Sequence, residues 1–338
     1  MNTEALAVAG VLLAGLVVYA VSGGADFGGG VWDLLASGPR KARQRKVISD
    51  ALGPIWEANH VWLILAVVLL FVCFPLAFAA MATALHIPLT IMLIGVVLRG
   101  SAFTFRSYGG GTDETLRWWG RVFASASVVT PFMLGVSAGA VASGQLPVDP
   151  RTHQVVTDFV SAWAAPFPLA VGLLAVALFA FLAAVYLTLE TRDPRLQEDF
   201  RWRALMTAPI VFLTAWGAFV LARQHAPLVA AGLTQRSWSL AFHVMVGGSA
   251  VVAVAALWRR WYSVARVAAA LHVALIVAGW GFAQFPYLLP PNLTVESAAA
   301  PQTVLRPVLW VLGLGSLVLL PSFFFLFRVF KSNPPTDA

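Results

Sequence analysis

The sequence predicts an all-α polytopic membrane protein with nine transmembrane helices. Three observations carry this. The 338 residues are 59% hydrophobic and 11% charged, with a mean hydropathy of +0.81; soluble domains run at about half apolar and about a quarter charged. Apolar runs of about 20 residues, the length that crosses a hydrocarbon core, recur from end to end. Eighteen of the 22 Lys and Arg residues fall on one side of the resulting nine-span layout.

The first run covers residues 5–27. No basic residue precedes it, and its polar end, DFGGGVWD, is no simple cleavage site, so it reads as a span and not as a secretory leader. The second and third cover 54–74 and 77–100. One apolar stretch passes through both; it is divided at Cys73-Phe74-Pro75 because proline stops or kinks a helix. The next five cover 119–143, 160–188, 204–223, 238–258 and 264–285, and the ninth covers 305–328.

The cations support this division. Arg40, Lys41, Arg43, Arg45 and Lys46 follow span 1, and Arg99, Arg106, Arg117 and Arg121 flank the loop after span 3. Arg192, Arg195, Arg201 and Arg203 follow span 5; Arg259, Arg260 and Arg266 follow span 7; Arg328 and Lys331 lie in the tail. The other side holds only Arg151, Arg223, Arg236 and Arg306. Eight spans, without the break before Pro75, would scatter these charges over both sides. Positive charge marks the cytoplasmic side, which puts the N-terminus outside and the C-terminus inside.

Composition also excludes. The net charge of +7 sits in short loops between apolar runs, so no nucleic-acid partner is expected. The one cysteine, Cys73, excludes internal disulfides, a CxxCH haem attachment and an iron–sulfur cluster.

Only two acids, Asp26 and Glu57, fall within apolar runs, both near the basic side. Asp33, Asp50, Asp113, Glu114, Asp149, Asp158 and the cluster from Glu190 to Asp199 read as loop or tail residues. Intramembrane acids are costly and usually face a bundle interior or a polar cavity. Glu57 opens span 2 behind Pro54, and His60, three residues on, shares its helix face. Asn59 and Trp62 share a neighbouring face. A carboxylate beside an imidazole in a low dielectric passes protons readily. The plainer reading is a first-turn carboxylate held by the helix dipole, with Asp26 merely solvated at headgroup level.

His60, His86, His243 and His272 lie in or near spans without a paired spacing that would ligate haem, so no metal site is expected. Arg99 and Arg106 at the inner end of span 3 suit a carboxylate such as Glu57 or an anionic lipid; the plainer reading is snorkelling. Trp118, Trp119, Trp202, Trp258 and Trp261 read as interface anchors.

Four stretches carry a resemblance: ADFGGG closing span 1, LGPIWEANHVWLI opening span 2, LRGSAFTFR after span 3, and FAQFPYLLPPNLTVESAAAPQTVL before span 9. In this order and across nearly the whole chain they resemble the signatures of subunit II of cytochrome bd-type quinol oxidases. The resemblance implies nine helices: a first four-helix bundle over 5–143, a second over 160–285, and a peripheral helix over 305–328. It implies a heterodimer in the bacterial inner membrane with subunit I, which carries the quinol site, the b-type haems and haem d. This chain then ligates none of them, stabilises its partner and supplies a cytoplasmic proton path. Some members hold a structural quinone, and the resemblance leaves room for a small accessory subunit. Carried over by motif, Asp26 and Glu57 match the path acids, and Asn59 and Trp62 match the polar and aromatic positions of the second stretch, the Trp62 position lying near the oxygen entrance in some members. The expected relay runs through Asp26 and Glu57, with His60 and Asn59 supporting Glu57. Three departures mark a divergent branch: Gly23 stands where a second acid is frequent, Thr104 where Glu is frequent, and PSFFFLFRVF lacks a tyrosine-rich ending.

Two rival classes remain at this stage. One is a proton-coupled secondary transporter using Asp26 and Glu57; broken helices and inverted repeats would favour it. The other is an assembly subunit in which both acids are dispensable.

Overall fold

The computed structural model describes residues 2–52, 56–108 and 112–331. Helix α1, Thr3–Leu34, starts at Asn2, whose side chain accepts from the Glu4 and Ala5 N–H groups; such caps satisfy the orphan donors of a first turn. It runs seven residues past the expected limit of 27, through the glycine run, to Leu34. The glycines remain helical because packing demands them. A Cβ on Gly28 would collide with the Phe179 carbonyl, and one on Gly30 with the Ser127 side chain. Small residues let helices approach closely where lipid supplies no hydrophobic drive for association.

A basic amphipathic helix, α2 (Lys41–Leu52), buries Gln44, Ile48 and Leu52 at four-residue spacing. Helices α3 (Trp56–Cys73) and α4 (Pro75–Ala84) meet at the expected break before Pro75. The third span differs from expectation. It is not one helix over 77–100: α4 is short, and α5, His86–Tyr108, is the long apolar element. Pro88 explains the second break at Leu85. A continuous helix would lose its N–H to the Ala84 carbonyl and clash with it.

Next come α6 (Asp113–Ser143), capped by Thr112 and ended by Gly144 in the left-handed region, and α7 (Pro166–Leu187). The latter begins six residues later than expected, at a proline suited to a first turn. Helix α8, Pro194–His225, is capped by Asp193. The short α9 (Pro227–Thr234) precedes α10 (Ser239–Trp258) and α11 (Tyr262–Gln284). Strands β1 (Tyr287–Leu289) and β2 (Leu293–Thr294) form a small antiparallel hairpin before α12, Gln302–Lys331.

Among the described residues, eight helices are long and apolar enough to cross a membrane, and nine if α2 and α3 act as one bent span. Two large cores stack along α1. On the basic side, Tyr19, Phe27 and Trp32 of α1 pack with Phe123, Phe179 and Phe200. Toward the other side, Ala5, Val8 and Leu12 pack with Leu69, Phe74 and Leu305. Helix α12 leans on α1 and α3 through Arg306–Glu4 at 3.0 Å and Phe323 stacked on Trp62. Most of its surface, including Trp310, Leu314, Leu317 and Phe324, is exposed.

Candidate functional site

Asp26 lies on α1 in the basic-side core and is 3% exposed. The Asn59 amide of α3, 1% exposed, donates to Asp26 Oδ2. Arg99 of α5, 2% exposed, donates from Nη2 to the Asp26 carbonyl oxygen at 3.0 Å and from Nε to Ser127 Oγ on α6 at 3.2 Å. Its guanidinium lies 4.9 Å from the Phe27 ring centroid and 5.2 Å from that of Phe123. Four helices thus converge on one turn of α1. A buried guanidinium persists only when its donors and charge are answered; here a carbonyl, a hydroxyl, two ring faces and the nearby Asp26 charge answer it.

His60 follows Asn59 and sits beside Tyr19 and Phe27, with ring centroids 6.2 and 6.1 Å away, both edge-on. Asn59 Oδ1 is buried without a hydrogen-bond partner among the described residues. The amide therefore has one end fixed on Asp26 and one end able to accept a donor, as buried polar atoms require.

The structure corrects two sequence expectations. Asn59 supports Asp26, not Glu57. Glu57 is exposed, on a stripe of α3 with Val61, Ile64, Val68 and Phe71, whereas Asn59 points inward. Neither arginine serves Glu57: Arg99 belongs to Asp26, and Arg106 pairs with Asp33. Trp62 stacks on Phe323 of α12 with centroids 5.4 Å apart and packs against the core that holds Tyr19 and Phe27.

Asp33 is the residue that sequence reasoning misplaced. It is not a loop acid; it lies in the last turn of α1 and is 1% exposed. Both Arg106 Nη atoms donate to its carboxylate at 3.1 Å. Arg45 of α2 donates to its carbonyl oxygen and stands 3.7 Å from Oδ1. Tyr19, Asp26 and Asp33 recur every seven residues on one buried face of α1. Seven residues make nearly two turns, about 10 Å of rise. That spacing was the available signal, had the helix been carried through the glycines.

A network beside this column ties the loop after α1 to α8. Arg40 and Gln44 donate to Asp199, and Arg203 donates to Gln44. Arg43 pairs with Asp193 at 2.6 Å. Among the described residues no group of three or more His, Cys, Asp or Glu is placed to hold a metal ion. His86 bonds Thr83 O, His243 bonds Ser239 O, and His272 bonds Ser249 and Val246 O.

Fold and site together define a class: a polytopic helical membrane protein that buries a carboxylate, an amide and a guanidinium near its basic face. Residues 5–330 match the family model described as cytochrome bd terminal oxidase subunit II, and the chain belongs to that family. It is 33% identical over 124 residues to cytochrome bd ubiquinol oxidase subunit 2 of Bacillus subtilis (strain 168), covering 36% of each chain. It is 28% identical over 217 residues to cytochrome bd-I ubiquinol oxidase subunit 2 of Escherichia coli (strain K12), covering 63% of this chain and 54% of the relative. These alignments therefore span about a third and about half of the two relatives. A chain of the bd oxidase structure from Geobacillus thermodenitrificans shares the fold, with a TM-score of 0.81 at 24% identity, over 98% of this chain and 100% of that one.

Proposed function

We propose that this chain is the non-haem subunit II of a bacterial membrane quinol:oxygen oxidoreductase, which stabilises a haem-bearing subunit I and relays cytoplasmic protons toward the oxygen-reduction site. Family membership supports the complex. The observation that carries the relay is the buried Asp26–Asn59–Arg99 arrangement on the side richest in Lys and Arg. In this reading the basic side is cytoplasmic and the N-terminus is outside. The haems b and d, and the site where quinol is oxidised, belong to the partner.

Reduction of oxygen to water consumes protons, so the complex needs acids that take them from the cytoplasmic side. Asp26 holds the proton at its carboxylate. Asn59 orients that carboxylate, and Arg99 balances its charge in a setting where an isolated carboxylate would be costly. His60, walled by Tyr19 and Phe27, is the adjoining group that exchanges protons. Glu57 faces outward on the apolar stripe of α3, which suits a hand-off across the contact with subunit I.

The test is a reduced-minus-oxidised spectrum of the complex captured through a tag on this chain. Signals of b and d haems with a second large membrane subunit support the reading. A haem-free lone protein after gentle solubilisation would favour a proton-coupled transporter instead.

A further inference from the structure

We propose that the basic side of the molecule carries an anion site, built by α2 and α5, that holds the phosphate of an anionic phospholipid. An open pocket of about 640 Å³ lies there, lined by Lys41, Arg45, Lys46, Ser49, Asp50 and Arg106 among others. Four cations surround it against the single carboxylate of Asp50 at its wall. Arg45 and Arg106 are partly committed to the buried Asp33. Lys41 and Lys46 are exposed and have no carboxylate partner among the described residues, so their charge is free for a ligand. Arginine forks and lysine ammonium groups together suit a phosphate, whose oxygens accept from several directions.

Depth selects a lipid headgroup over a free phosphate. Arg106 follows Phe105, which is exposed and stacks on Trp119 with centroids 4.7 Å apart, and Trp118 beside it is exposed too. Aromatic residues of this kind mark the membrane interface. Leu34 and Leu35, exposed where α1 ends, offer apolar surface on the same side for acyl chains. Helix α2 lies against the bundle through Ile48 and Leu52, which leaves Lys41 and Lys46 turned outward, the arrangement of a basic interfacial helix.

The experiment uses the full chain in its complex, reconstituted into nanodiscs of mixed phosphatidylglycerol and phosphatidylcholine and then extracted gently. Retained lipids are counted by native mass spectrometry. The wild type retains phosphatidylglycerol in preference to phosphatidylcholine. Lys41→Gln/Lys46→Gln lowers that retention by about fivefold or more, since each basic residue near a surface contributes appreciably to anionic-lipid binding. Lys41→Arg/Lys46→Arg keeps it, and Arg117→Gln/Arg121→Gln, which removes the same charge from the same side outside the pocket, leaves it unchanged. Equal retention by the wild type and the glutamine pair, or equal loss in the Arg117/Arg121 pair, overturns the site. Inorganic phosphate binding to the delipidated complex without any preference for phosphatidylglycerol overturns the lipid source.

Discussion

Asn59 of α3 donates its amide to Asp26 of α1, and the two side chains are 1% and 3% exposed, so one buried hydrogen bond joins two helices at an acid. A carboxylate at membrane depth is tolerated only when something answers its charge and its lone pairs. Here Asn59 answers the carboxylate, while Arg99 binds the backbone of the same residue. The carboxylate is therefore oriented by a group from a second helix, and its backbone is fixed by a third.

Replacing Asn59 by leucine keeps the branching at Cγ and removes the donor. Oxygen consumption by the intact complex is expected to fall by about tenfold, the low end of what a positioned proton-transfer group contributes. Haem content per complex stays normal. Normal turnover in Asn59→Leu would show that the amide does not position Asp26 for transfer.

Arg99→Met removes a buried cation whose neighbours then lack a donor. Breaking such an arrangement costs about 3–5 kcal/mol. A thermal-unfolding series in detergent should show a markedly lower midpoint for Arg99→Met. The exposed control Arg117→Met should match the wild type.

Asp33 anchors α1 to α5 and α2 through Arg106 and Arg45. Asp33→Asn leaves both arginines without their carboxylate and is expected to cost about 1–3 kcal/mol, because they are only partly buried and water reaches them. Turnover per folded complex should remain within about twofold, since both Asp33 carboxylate oxygens are engaged by Arg106 and the residue serves to anchor helices. A large loss of turnover with unchanged stability would instead place Asp33 in the path.

Asp193 caps α8, accepting from the Arg195 N–H at 2.8 Å, with Arg43 beside it. That backbone bond, and then the Arg43 charge, hold its carboxyl below the usual range. A lowered folded pKa means stability that is present above the unfolded value of about 3.9 and lost as pH falls through the folded one. Asp193→Ala should cost about 1 kcal/mol at neutral pH. The gap between wild type and variant should close on acidification, and melting curves across pH check this. A gap that persists at low pH contradicts the cap.

Much of the fold was legible because lipid leaves few options: apolar length gives spans, and cation asymmetry gives sides. The break at Pro75 could be read because proline disrupts a helix locally. The break at Leu85 was missed although Pro88 encodes it in the same way, since hydropathy stays high through it. For the site, Asp26 stood out as a lone acid in an apolar run. Its partners did not, because which of Asn59 and Glu57 faces inward depends on the rotation of α3, set by packing. Asp33 was missed for a related reason. Three glycines in a row suggest an end, and only the close approach of α7 to Gly28 shows why the helix continues.

The most direct test of the central claim pairs oxygen consumption with proton uptake from the basic side in vesicles carrying Asp26→Asn or Glu57→Gln complexes. The account predicts that both rates fall together by about tenfold or more in Asp26→Asn, and that Glu57→Gln also slows them, with the haem spectrum intact. Unchanged oxygen consumption and proton uptake in both variants would contradict it.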